Sequence, residues 1–169
     1  EINRGEIIWI YGESGSGKST FVNLISGLLK PQIGTIKINN ENLENNKPNW
    51  LASLGYVPQQ VTLFNDTIET NISFFENQDQ NETFNKKITK ALEQANLKNL
   101  IDSLPDKLNT IVGENAAKLS GGQVQRIGIA RAIFNDPEFI IFDESTSSLD
   151  LENEKDIMKF VYSLKKHKT

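Results

Sequence analysis

Residues 12–20 read Gly12-Glu13-Ser14-Gly15-Ser16-Gly17-Lys18-Ser19-Thr20, GESGSGKST, and the reading of the whole 169-residue chain starts from them. The run matches G-x-x-x-x-G-K-[ST], a loop that carries meaning only between a strand and a helix. Both flanks fit. Glu6–Tyr11 (EIIWIY) is nearly continuous and apolar, the pattern of a strand buried on both faces, with Trp9 and Tyr11 expected to pack in the core. From Ser19 the period becomes helical, with Phe21, Val22, Ile25, Leu28 and Leu29 on one stripe and Pro31 closing it. Glycines let backbone N–H groups turn onto phosphate oxygens, and the positive end of the new helix adds to the attraction. Lys18 has the reach for β- and γ-phosphates, and the Ser19 hydroxyl suits Mg²⁺. The bland alternative is a glycine-rich turn with no ligand; strand, loop, lysine and helix together argue for a nucleotide site.

Working outward, the same alternation of strand and helix continues. TIKINN places Ile36 and Ile38 on one side and then reaches the turn-prone pair Asn39-Asn40, followed by a polar connection to about Asn49. LGYVPQ reads as a strand ended by Pro58, and FIIF (Phe139–Phe142) as a buried one. Between them, from Asp66 to about Phe134, the chain is mostly helical. Phe84, Ile88, Ala91, Leu92 and Ala95 form one stripe, and residues 123–134 another; Ile157, Phe160, Val161 and Leu164 stripe a last helix. Such an order predicts an α/β fold with parallel pairing: a phosphate-loop core at 1–65 and 134–169, and an inserted helical subdomain at 66–133.

Composition narrows the partners. A net charge of −4 gives no electrostatic footprint for nucleic acid. No apolar run approaches the roughly 18 residues of a membrane span, and the absence of cysteine excludes disulfides and thiolate chemistry. The chain opens on Glu1 and its one methionine is Met158, so residue 1 is not expected to be a natural start and the chain is expected to be a piece of something larger.

Two further stretches carry chemistry. FIIFDE ends a strand on Asp143 and Glu144. An aspartate there can hold Mg²⁺ beside a phosphate loop, and the next residue, pointing elsewhere, can face an attacking water as general base. Alone, the two would read as a surface acidic pair. LSGGQ (Leu119–Gln123) opens an amphipathic helix, and its reading stays open between a second anion site and a plain cap with Ser120 as the N-cap residue.

Taken in order, GESGSGKST, YVPQ, LSGGQ, FIIFDE and SSLD resemble the nucleotide-binding domain of an ABC transporter over nearly the whole chain. The resemblance implies a phosphate-loop NTPase that binds ATP and Mg²⁺ and hydrolyses ATP as a head-to-tail dimer with a second such domain. Ser120, Gly121, Gly122 and Gln123 then serve the partner's ATP, while residues 12–20 hold the chain's own. Gln59 corresponds to the glutamine that touches Mg²⁺ and the attacking water and senses the transmembrane partner. Lys18 and Glu144 are the remaining catalytic groups, Ser19 and Asp143 the other metal-associated ones, and Asp150 closes the loop that crosses the dimer interface.

TLFNDTIETNISF and TIVGENAAKLSGGQ resemble stretches of the exporter type, with Ala116 where a glycine is usual. This implies a transmembrane domain in the same polypeptide and a place on the cytoplasmic face of the inner membrane. The family's adenine-stacking aromatic falls upstream of Glu1 and its switch histidine beyond Thr169, with His167 read as a surface residue. A soluble ATPase acting on nucleic acid or ribosomes is the competing class, disfavoured by the acidic charge and the exporter-like stretches; a regulator that binds without hydrolysing is disfavoured by the presence of Ser120 and Glu144.

Overall fold

The computed structural model describes residues 1–76, 82–113, 119–143, 151–164 and 168–169. Along the chain come α1 (Lys18–Ile25), β1 (Lys37–Ile38), β2 (Glu41–Asn42), α2 (Lys47–Ala52), β3 (Leu54–Val57), β4 (Asp66–Thr67), α3 (Ile68–Ser73), α4 (Glu82–Gln94), α5 (Lys98–Ser103), β5 (Ile111–Val112), α6 (Gly121–Ile133), β6 (Phe139–Phe142) and α7 (Leu151–Leu164). β3 and β6 pair in parallel, Leu54 with Phe139 through Val57 with Phe142. The pairs β1–β2 and β4–β5 are short and antiparallel.

Local chemistry accounts for most boundaries. Asn39 and Asn40 adopt φ of 50° and 69°, the two left-handed residues of a type I′ hairpin, which is why β1 and β2 are joined by that pair. α1 ends at Ile25, short of Pro31. Gly27 at φ 76° takes the left-handed position after the helix, and the amides of Leu28 and Gly27 turn back to the carbonyls of Asn23 and Leu24. Leu28 and Leu29, expected on the helical stripe, are therefore outside the helix and exposed. The polar connection also holds more order than its composition suggested. In α2, Pro48 fits the first turn and Trp50 is buried, its indole N–H bonded to the Ile25 carbonyl at 2.9 Å and its ring 5.2 Å from Phe139.

The expected strand at Glu6–Tyr11 is not formed, and Trp9 and Tyr11 are not in the core. Trp9 is 45% exposed and Tyr11 84%. A strand needs a neighbour to take its N–H and C=O groups, and among the described residues none runs beside this segment. Thr169 occupies the adjoining edge instead. Its amide bonds to the Glu138 carbonyl, its carbonyl accepts from Ile140, and its hydroxyl accepts from the Gly5 amide at 2.9 Å.

One apolar cluster joins Val57 of β3, the stripe of α4, Ile127, Ile129, Ala130 and Ile133 of α6, and Ile157 of α7. α6 lies against β3 because Gly55 has no side chain: a Cβ there would sit 2.5 Å from the Ala132 carbonyl oxygen. The loop before α3 is held by polar contacts. Asn71, fully buried, donates to the carbonyls of Phe64 and Thr67 at 3.0 Å and accepts from the Phe64 amide at 2.8 Å. Arg131 of α6 adds bonds to the Asn71 carbonyl, the Asn71 side-chain oxygen and the Thr62 carbonyl. Asn71→Ala strips several buried groups of partners at about 1–3 kcal/mol each, so we expect a loss of about 3 kcal/mol or more. The check is a lowered urea midpoint at unchanged m-value.

Candidate phosphate and metal site

The phosphate loop is built by its glycines. Gly15 and Gly17 sit at φ 81° and 93°, conformations that a side chain would strain, and Gly17 is the residue from which α1 departs. A Cβ on Gly12 would lie 2.5 Å from the Ser16 hydroxyl, which would have to turn aside to make room. Lys18 folds back, donating to the carbonyls of Gly12 at 2.7 Å and Glu13 at 2.8 Å. No side chain caps α1. Its first intrahelical bond is from Phe21 to Gly17, which leaves the amides of Lys18, Ser19 and Thr20 at the positive helix end. Ser14, Ser16, Ser19 and Thr20 are exposed, as a loop that receives a ligand from solvent requires.

Parallel pairing brings the carboxyl ends of β3 and β6 to the same edge of the sheet. Gln59 is exposed just past β3, and Asp143 directly follows β6, its amide bonded to the Val57 carbonyl at 2.9 Å. The Tyr56 hydroxyl donates to Asp143 Oδ2 at 2.8 Å. Burial first, then this bond and the carboxylate's charge, push the Tyr56 phenol up to about 12, so it remains a donor throughout the neutral range. Strand alternation assigns the two faces. Gly55, Val57, Ile140 and Phe142 look toward α6; Leu54, Tyr56, Phe139, Ile141 and Asp143 look the other way, where Trp50 stacks on Phe139 and reaches the end of α1. Asp143 thus shares a sheet face with the helix that the phosphate loop opens.

Magnesium is the ion the loop motif implies. The Ser19 hydroxyl, the Gln59 amide oxygen and the Asp143 carboxylate are hard oxygen donors, the residues that would hold Mg²⁺ alongside the phosphates of a nucleotide. Among the described residues no cluster of three His, Cys, Asp or Glu side chains could hold a metal. A cavity of about 670 Å³ among α3, α4 and α5, lined by Glu69, Leu92, Ile101 and Asp106, lies apart from these groups. Glu144, Asp150, Ala116 and His167 fall outside the described residues.

At the second glycine stretch the cap geometry is explicit. Ser120 is the N-cap of α6: its hydroxyl accepts from the Gln123 amide at 3.3 Å, and the Gln123 side-chain oxygen accepts from the Ser120 amide at 2.8 Å. Ser120 and Gly121 are nonetheless exposed, and Gly122 is buried. Among the described residues no hydrogen bond joins 119–123 to 12–20; each helix start is bonded within itself. Sequence reasoning quoted Tyr56 without giving it a task, since only the β3–β6 register shows which carboxylate it meets. Ser120→Ala removes the cap and should cost about 1 kcal/mol. A fall in thermal midpoint with α-helical circular dichroism otherwise retained is the expected readout.

With this geometry in hand, the similarities to known proteins are informative. The family model for ABC transporters matches residues 1–147. An ATP-dependent lipid A-core flippase of Idiomarina loihiensis is 41% identical over 170 residues, covering 100% of this chain and 29% of the flippase. The toxin RTX-I translocation ATP-binding protein of Actinobacillus pleuropneumoniae is 43% identical over 169 residues, 99% of this chain and 23% of that protein. Among solved structures, a bacterial Atm1-family ABC exporter with ATP bound superposes with a TM-score of 0.79 at 35% identity, over 93% of this chain and 27% of that one. The chain thus spans less than a third of the length of these relatives. A phosphate loop, a parallel sheet and a signature helix shared across that span make the fold an ABC-type phosphate-loop NTPase fold of mixed α/β content. The chain belongs to the ABC transporter family.

Proposed function

We propose that the chain binds and hydrolyses MgATP in a head-to-tail pair with a second ABC domain, driving export or flipping of a substrate across a membrane. The observation that carries this reading is the exposed start of α6. Ser120 and Gly121 face solvent at a helix N-terminus, unconnected by hydrogen bonds to the chain's own phosphate loop. A second chain can meet both: its phosphate loop would hold the ATP that this chain's Ser120, Gly121, Gly122 and Gln123 close over.

In that arrangement the amides of residues 13–20 and Lys18 bind the phosphates, and Lys18 exchanges its contacts with the Gly12 and Glu13 carbonyls for phosphate oxygens. Ser19, Gln59 and Asp143 hold the metal, which when bound neutralises charge on the β- and γ-phosphates. Glu144 takes a proton from water; the water oxygen bonds to the γ-phosphorus, the bond to the β–γ bridging oxygen breaks, and ADP and inorganic phosphate leave. Residues 1–65 and 134–169 act as the nucleotide core, and 66–133 as the helical subdomain that carries the signature.

Among the described residues no helix is long and apolar enough to cross a membrane. The partner that spans it is a transmembrane domain, which we place in the same polypeptide, with this chain on the cytoplasmic face of the inner membrane. Relatives named for a lipid A-core flippase and for RTX-I toxin translocation match nearly the whole chain at 41% and 43% identity, so cargo choice belongs to other parts of such proteins. The acidic net charge and these exporter relatives disfavour a soluble ATPase acting on nucleic acid or ribosomes.

Two measurements test the reading. ATPase activity per mole should climb with protein concentration in the wild type and collapse in Ser120→Arg; a monomer that keeps full activity when MgATP is present would overturn the pairing. Glu144→Gln should keep ATP binding and cut turnover by about 10²-fold or more. Turnover at the wild-type rate would remove Glu144 from the role of base.

A further inference from the structure

We propose that Tyr56 is a positioning residue for Asp143, orienting its carboxylate for the magnesium–nucleotide complex; the proposal rests on the MgATP reading above. Tyr56 pairs with Ile141 in the parallel register, so it shares a sheet face with Asp143, two residues further along. A phenol leaning along the strand spans that diagonal, and its hydroxyl reaches Oδ2 at 2.8 Å. The neighbouring residue of β3 holds the other end of the aspartate, since the Val57 carbonyl accepts from the Asp143 amide at 2.9 Å. Backbone and side chain of Asp143 are therefore clamped by consecutive residues of one strand.

With the backbone held, the two side-chain torsions of Asp143 remain, and the bond to the Tyr56 hydroxyl restricts them. Oδ2 is engaged, while Oδ1 makes no hydrogen bond to a described residue. Charge assistance makes such a bond stronger than one between neutral groups. A packing role alone does not account for the hydroxyl. Tyr56 is 38% exposed, so its ring is not sealed in the core, and phenylalanine would cover the same apolar surface. The chain leaving β3 passes Pro58 to Gln59, so one strand sets the place of two of the three groups assigned to the metal.

The test is Tyr56→Phe, which keeps the ring and deletes only the donor. Affinity for a non-hydrolysable ATP analogue is measured in EDTA and in excess Mg²⁺ by displacement of a fluorescent nucleotide. The ratio of the two dissociation constants reports how strongly metal and nucleotide reinforce each other on the protein. Affinity in EDTA should be unchanged in Tyr56→Phe, while the ratio falls about 10-fold, the scale seen when a metal ligand loses its hydrogen-bonded support. A defect of packing would instead weaken both affinities together and lower the thermal midpoint, and that outcome overturns the proposal. So does a ratio equal to the wild type's. A wild-type protein whose nucleotide affinity ignores Mg²⁺ overturns the MgATP reading and this proposal with it, which separates the failure of the site from the failure of Tyr56 alone.

Discussion

The four-rung parallel pairing of β3 with β6 is the constraint on which the site depends. It matches Tyr56 to Ile141 and Val57 to Phe142, and so sends both strands out at one edge. Gln59 and Asp143 emerge there, from segments more than eighty residues apart in the chain. A register slip of one residue would turn every side chain of one strand to the opposite face. Asp143 would then point toward α6, and Tyr56 would have no carboxylate to meet. The pairing is protected on the α6 side by Gly55, whose missing side chain lets the helix backbone approach. On the other side it is protected by Trp50, which bridges Phe139 and the end of α1.

The signature helix is tied to this sheet by two unlike means. Its apolar face, Ile127 to Ile133, contributes to the common core, a contact that tolerates small shifts. Its Arg131 is directional: planar and multiply bonded, it grips Asn71 and Thr62 while lying 5.4 Å and 5.8 Å from the ring centroids of Phe64 and Phe74. Burial lowers the pKa of this guanidinium, yet it keeps its charge at any neutral pH because arginine starts so high. The loop that leaves Gln59 is thereby fixed to the helix that begins at Ser120. A displacement of one is felt by the other through these directional hydrogen bonds.

Much of this was legible in the sequence, and the reason is that it is local. A glycine loop followed by a helix needs only its own neighbours to take its shape, so the turn at residues 12–17 and the start of α1 could be read from the sequence. The Asn39-Asn40 turn, the stripe of α4, Ser120 as a cap (one of two readings) and the strands at 54–57 and 139–142 likewise follow from propensities within a few residues. Tertiary structure decided what depends on a partner far along the chain. The apolar run 6–11 has a strand's composition, but backbone hydrogen bonds come from a neighbour, and none lies beside it among the described residues; Trp9 and Tyr11 are accordingly exposed. α1 ends at Ile25, before the left-handed Gly27, because backbone geometry there outranks the apolar spacing of Leu28 and Leu29. Tyr56 and Asp143, 87 residues apart, meet only through the register of two strands. Residue identity sets what each group can do; the pairing of distant backbones sets which groups act together.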